Sequence, residues 1–169
     1  MSLRDDPSRG HWMQTFSGGR FYPLDPRPED LDLADIAHSL SHICRYGGHV
    51  DRFYSVAEHC VLLSHAVAPE HALWALLHDA TEAYVGDMVR PLKAHMPDYC
   101  QVEDRIMDIV ALRYGLDGPM PAEVKDADTR ILLDERAALM SRTLYPWAIE
   151  ELEPLGVAVE GWDPGRSKR

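Results

Sequence analysis

The sequence predicts an all-α fold, a bundle of about five to seven helices behind a short N-terminal hairpin or arm. Two observations carry this. Apolar residues recur at helical spacing in five separate stretches, and a Gly or Pro punctuates almost every one of them. Length and composition add a bound: 169 residues with 46% hydrophobic content can close one core without disulfides. The expected organisation is a single domain over 1–169, with a core at 33–140, an N-terminal arm at 1–32 and a C-terminal tail at 144–169.

The elements follow in chain order. Aromatics around Gly18-Gly19, then Pro23, Pro26 and Pro28, suit a hairpin leading into an extended arm. Leu33, Ile36, Ala37, Leu40, Ile43 and Cys44 predict a first helix over 33–46, stopped by Gly47-Gly48. Ser55 and Glu58 form an S-x-x-E capping box, so a second helix starts there and carries Val56, His59, Leu62 and Leu63. Pro69 opens a third, largely buried helix over 70–84, with Gly86 as its stop. The segment 87–97 reads as a loop with at most a short helix over 92–95. A fourth helix over 98–114 ends at Gly115, and Pro121 opens a fifth reaching 141. The tail holds a short helix before Pro154 and then a loose, basic end.

Charge and cysteines narrow the function. A formal charge of −11 argues against a long nucleic acid as partner, because wrapping one takes many Lys and Arg. A single phosphate is different, since one divalent cation and a few basic side chains neutralise it. Neither a basic leader nor an apolar span is visible, so the protein reads as cytoplasmic and not membrane-bound. Cys44, Cys60 and Cys100 are odd in number and widely spaced, which fits buried thiols better than a disulfide or thiolate zinc site.

The chemistry-bearing residues stand out because they are polar where the pattern is apolar. His78-Asp79 sits in the most apolar helix, where two ionisable groups are costly to bury without partners. A hydrogen-bonded core histidine beside a capping aspartate is the plain explanation; a metal site needs ligands from other helices. Asp128 offers one, because about 100° per residue puts it on the stripe of Val124, Ala127 and Ile131 and turns Asp126 away. His59, one turn into the second helix, offers another. Two imidazoles and two carboxylates on three helices suit a five- or six-coordinate divalent ion with open positions. His38 and His42 form a rival i, i+4 pair, but no carboxylate is placed to complete it, so they read as pocket wall or solvated face.

At these residues the chain resembles a known family. S-V-A-E-H at 55–59, L-L-H-D-A-T-E at 76–82, G-D at 86–87, P-L-K at 91–93 and V-K-D-A-D at 124–128 resemble the HD-domain phosphohydrolases. The likeness spans 33–140 and is greatest to the small branch of bacterial 5′-deoxynucleotidases and phage deoxynucleotide triphosphohydrolases. It implies an HD-domain bundle in which His59, His78, Asp79 and Asp128 bind one divalent metal (Mn, Co, Fe, Ni, Mg or Zn). Glu82 falls on the catalytic glutamate, and Asp87 on a second acidic residue that orients water or leaving group. Arg45-Tyr46 resembles an Arg-aromatic pair that grips phosphate and stacks on sugar or base, and Lys93 and Lys125 are further phosphate candidates.

The function expected on this basis is hydrolysis of a nucleotide phosphate ester, foremost a deoxynucleoside 5′-monophosphate, by attack of metal-bound water. A deoxynucleoside triphosphate triphosphohydrolase is the first alternative, and a non-catalytic nucleotide- or metal-binding HD sensor the second. A metal-stabilised interaction domain is a third. The expected partners are a small-molecule nucleotide and, by the resemblance, a second copy of the chain in a homodimer. No Walker loop, nucleophile elbow or H-E-x-x-H signature supports another route.

Overall fold

The hairpin forms where the glycines allow it. In the computed structural model, which describes residues 7–169, β1 (Met13–Gln14) pairs antiparallel with β2 (Arg20–Phe21) in the register Met13 to Phe21. Thr15 donates its amide to the Gly19 carbonyl across the turn, and Gly18 takes φ of 86°, a region that a side chain disfavours. Asp32 then caps α1 (Leu33–His42) by accepting from the Ala34 amide at 2.7 Å.

The first helix stops earlier than its apolar spacing predicts. Ile43 and Cys44 are extended, and the chain pairs with its own return strand: Val56 donates to the Ile43 carbonyl and Arg45 to that of Tyr54. This pairing satisfies the backbone groups that a further helical turn would have used. A 3₁₀ turn over Arg45–Gly48 follows, with Tyr46 at φ 58°. Arg45 therefore stands at a chain reversal beside the second helix and not at the end of the first.

Ser55 caps α2 (Val56–Ala66) as expected, its hydroxyl accepting from the Glu58 amide at 3.1 Å. The other half of the capping box does not form. The Glu58 carboxylate, fully buried, accepts instead from the amides of Glu160, Gly161 and Trp162 at 3.2, 2.9 and 2.5 Å. The predicted third helix appears as α3 (Ala72–Leu77) and α4 (Glu82–Val85), joined by a tightened turn in which Ala80, Glu82, Ala83 and Tyr84 each donate three residues back. Gly86 at φ 82° ends it, as its position predicts. A short α5 (Arg90–Lys93) interrupts the next loop, α6 (Pro97–Tyr114) ends at left-handed Gly115, and α7 (Ala122–Leu139) starts after Pro121.

The fold is thus helical, with the single two-stranded hairpin of the described residues near its N-terminus. Ile36, Leu63, Ile106, Val110, Val124 and Ile131 meet in the core with almost no exposed surface. Among the described residues no helix is long and apolar enough to cross a membrane.

The tail corrects the sequence reading. No helix forms before Pro154, and the basic end is not loose. Arg130 on α7 donates to the Glu153 and Pro154 carbonyls, the backbone at 160–162 docks on Glu58, and α8 (Pro164–Ser167) buries Ser167 against the Ser55 hydroxyl. A buried carboxylate needs donors, and the tail backbone supplies them. Gly161 is the tightest point, at φ 81° with the Phe53 carbonyl oxygen 2.8 Å from where a Cβ would stand. Gly161→Ala should therefore cost about 1–3 kcal/mol, measured by urea unfolding. An unchanged midpoint would show that the chain at 161 relaxes to accept a Cβ at no cost.

Candidate metal centre

Four side chains from three parts of the chain converge. His59 lies one turn into α2 and is completely buried; His78 and Asp79 sit on the tightened turn between α3 and α4; Asp128 lies on α7 beside Ala127, on the stripe of Val124 and Ile131. His59 Nε2 is 3.3 Å from His78 Nε2, 3.3 Å from Asp128 Oδ1 and 3.7 Å from Asp79 Oδ2. His78 Nε2 is 3.2 Å from Asp79 Oδ2 and 3.8 Å from Asp128 Oδ1. Asp126 points to solvent and pairs only with Arg130, as the helical angle predicts.

The other nitrogen of each imidazole explains what these distances mean. His78 Nδ1 is 2.7 Å from the Ala75 carbonyl, which can only accept, so that nitrogen carries a proton. His59 Nδ1 faces Glu135 Oε1 at 2.6 Å. If both rings were neutral, they would present two bare Nε2 lone pairs to two carboxylate oxygens. Four acceptors face to face repel unless a proton or a cation lies among them. Ligands about 2.0–2.2 Å from one ion stand about 3.0–3.5 Å apart from each other, close to what is found here. The donor set therefore fits a divalent metal ion.

Electrostatics agree. Burial opposes a charged His78, yet the Asp79 and Asp128 carboxylates outweigh it and hold the imidazolium well above its ordinary range. Burial likewise opposes ionisation of Asp79 and Asp128, but the two histidines hold both carboxyls below their ordinary range. A proton on His78 and a cation among the four donors are alternatives. Cys60, with His78 and Asp79, forms a second grouping of metal-ligating atoms. Its sulfur lies 4.0 Å from His78 Nδ1, a nitrogen already committed to Ala75, and burial pushes the thiol pKa up, so it belongs to the packing behind the ring.

His78, Asp79 and Asp128 open onto a cleft of about 310 Å³, with His59 buried behind them. Its wall brings together Arg45, Glu82, Asp87 and Lys93 from the sequence reading, along with Met88, Met107 and Met120. Tightening of the α3–α4 turn nearly eclipses residues three apart, so Glu82 stacks over Asp79 toward the cleft. Glu82 Oε2 is buried without a hydrogen-bond partner, and burial, with the charges of Asp79 and Asp87, pushes its carboxyl up to about 9. Burial also raises Asp87. Arg45 is buried, with Nη1 3.4 Å from Asp79 and Nη2 3.4 Å from Glu135. Lys93 is paired with Glu103 at 2.7 Å.

Two residues expected at the site do not reach it. Tyr46 is absent from the cleft wall, because its left-handed backbone turns the hydroxyl back onto Glu135. Lys125 is exposed on the outer side of α7, outside the cleft. His38 stacks on His42 at 4.2 Å and on Phe16, the three wall a separate cavity, and the two histidines join no metal-ligating group among the described residues. Conversely, the sequence reading missed Glu135, Tyr54 and Arg90. Glu135 is completely buried and accepts from His59, Tyr54 and Tyr46, while Arg90 donates to Asp128 Oδ2 at 2.9 Å at the mouth of the cleft. The signal for Glu135 was its place seven residues after Asp128, two helical turns along the same apolar stripe.

The chain is 47% identical over 128 residues to the uncharacterized protein YfdR of Escherichia coli (strain K12), covering 76% of this chain and 72% of that protein. The chain belongs to the YfdR family. An uncharacterized protein of Rhodobacter capsulatus is 40% identical over 126 residues, 69% of this chain and 64% of the relative. No protein-family model matches the chain. Both YfdR-like relatives are uncharacterized, so kinship carries no activity to this chain and the chemistry rests on the site.

Proposed function

We propose that the chain is an HD-type metal-dependent phosphohydrolase that cleaves the phosphate ester of a deoxynucleoside 5′-monophosphate. The observation that carries this reading is the approach of the Asp79 and Asp128 carboxylates to the His59 and His78 Nε2 atoms beside a cleft whose wall also holds Arg45 and Glu82. A divalent ion there would polarise the phosphoryl group and lower the pKa of a coordinated water. The remaining work falls to the chain. His59 and His78 present Nε2 because their Nδ1 atoms are engaged elsewhere. Arg45, fixed between Asp79 and Glu135 and with Nε still unpartnered, grips a phosphate oxygen. Glu82 takes and returns a proton at Oε2. The three methionines give the nucleoside an apolar, adaptable wall.

Arg90 and Lys93 at the mouth of the cleft favour one alternative, a triphosphohydrolase, because a longer phosphate chain would reach both. The test is product analysis with mono-, di- and triphosphates in Mn, Co, Fe, Ni, Mg and Zn. Inorganic phosphate from a deoxynucleoside monophosphate supports the proposal; triphosphate as the product, with little monophosphate turnover, supports the alternative. No turnover with any metal sinks both. Arg45→Ala should weaken nucleotide binding about ten- to a hundredfold, from about 1.5–3 kcal/mol of lost charge-assisted bonding, and should affect an aryl phosphate less. A second copy of the chain is the proposed protein partner, which light scattering tests.

A further inference from the structure

We infer that Glu135 is a positioning residue that sets the metal affinity of His59 and the substrate grip of Arg45 together. The inference rests on the metal reading above. Glu135 lies two turns beyond Asp128 on α7, completely buried. A carboxylate there, amid Ile131, Leu132 and Leu139, is costly unless every lone pair is used. They are used, and by parts of the site that are otherwise separate. Oε1 faces His59 Nδ1 at 2.6 Å and accepts from the Tyr54 hydroxyl at 2.8 Å. Oε2 accepts from the Tyr46 hydroxyl and lies 3.4 Å from Arg45 Nη2.

Each contact has a consequence at the cleft. The one to His59 fixes the tautomer that leaves Nε2 bare, and a carboxylate on the far nitrogen makes the ring a stronger ligand. The one to Arg45 anchors one side of a guanidinium whose other side meets Asp79, a second member of the donor cluster. The one to Tyr46 holds a non-glycine residue in left-handed backbone next to Arg45, and strain of that kind persists only where surroundings enforce it. A single carboxylate that touches neither metal nor substrate thus braces both. A merely structural buried glutamate would need none of this selectivity, since apolar packing of α7 would serve as well.

The experiment uses the full chain and reads binding, not turnover. Mn²⁺ affinity is measured from the free-ion paramagnetic resonance signal, and dAMP affinity by calorimetry without metal. Glu135→Gln, which keeps shape and one acceptor, should weaken Mn²⁺ about 10- to 100-fold and dAMP about tenfold or more. Leu139→Ala, on the same helix and completely buried, should lower the melting temperature yet leave both affinities of the folded protein within about twofold. Tyr46→Phe keeps the carboxylate and should weaken dAMP while sparing Mn²⁺, which keeps the test decisive if Glu135→Gln does not fold. Unchanged Mn²⁺ affinity in Glu135→Gln, equal losses in Leu139→Ala, or unchanged dAMP affinity in Tyr46→Phe would overturn the inference and leave the phosphohydrolase reading standing. Wild-type protein that binds no Mn²⁺, Co²⁺ or Zn²⁺ would instead remove the metal reading and this inference with it.

Discussion

His78→Ala is expected to lower bound metal to background and to abolish hydrolysis, and His59→Ala, Asp79→Ala and Asp128→Ala are expected to do the same. Each deletes one of two imidazole nitrogens or two carboxylate oxygens, and each of those oxygens stands 3.2 to 3.8 Å from the two Nε2 atoms. Changes that only touch a ligand's neighbour commonly cost about 10- to 100-fold in affinity, so loss of the ligand itself should cost more. Asp126→Ala is the control, two residues from Asp128 on the same helix but exposed and paired only with Arg130. Elemental analysis with Asp126 required and Asp128 dispensable would reverse the assignment. The same centre predicts a pH dependence. His78 is held protonated well above its ordinary range, so a metal that takes its Nε2 must displace a proton. Affinity should therefore rise with pH, about tenfold per unit for one proton released, and fall in acid. Calorimetry in buffers of different ionisation enthalpy counts that proton; a pH-independent affinity would mean that His78 is not a ligand.

Glu82→Gln should keep the metal and bind nucleotide while losing at least about 10²-fold in turnover, the lower end for removal of a general acid or base. Its side chain is buried in the cleft wall with Oε2 unpartnered, so little else depends on it. Near-normal turnover in the variant would move the proton role to Asp87, the next carboxylate along the cleft. A stability readout accompanies the kinetic one. In metal-free protein the Glu82 carboxyl is pushed up to about 9, first by burial and then by Asp79 and Asp87. From the ordinary glutamate range up to that value the folded state holds a proton that the unfolded chain has lost, so stability falls as pH rises across that window. Glu82→Gln should flatten this decline, and urea midpoints between about pH 5 and 8 would show it. Identical slopes for the two proteins would show that Glu82 ionises as it does in water.

Much of this was local enough to read from the residues. Helical spacing, the Ser55 cap and the Gly86 and Gly115 stops lie within a few residues of what they control, so the helices came close to their predicted places. That His59, His78, Asp79 and Asp128 come near one another was legible for a related reason. Each is a polar group on an apolar stripe, and a helix face is fixed by angle alone. Tertiary structure decided where polar groups find their partners. Glu58 reads as half of a capping box, yet it holds the tail at 160–162; Glu135 reads as one more charge on α7, yet it joins His59, Tyr54, Tyr46 and Arg45. The first helix ended early because pairing between 43–45 and 54–56 satisfied its backbone, and that reversal set Arg45 against Asp79 while turning Tyr46 away from the cleft. Apolar periodicity is a property of neighbours along the chain. The destination of a hydrogen bond is set by which segments the core brings together, 76 residues apart for His59 and Glu135, and only the folded chain determines that.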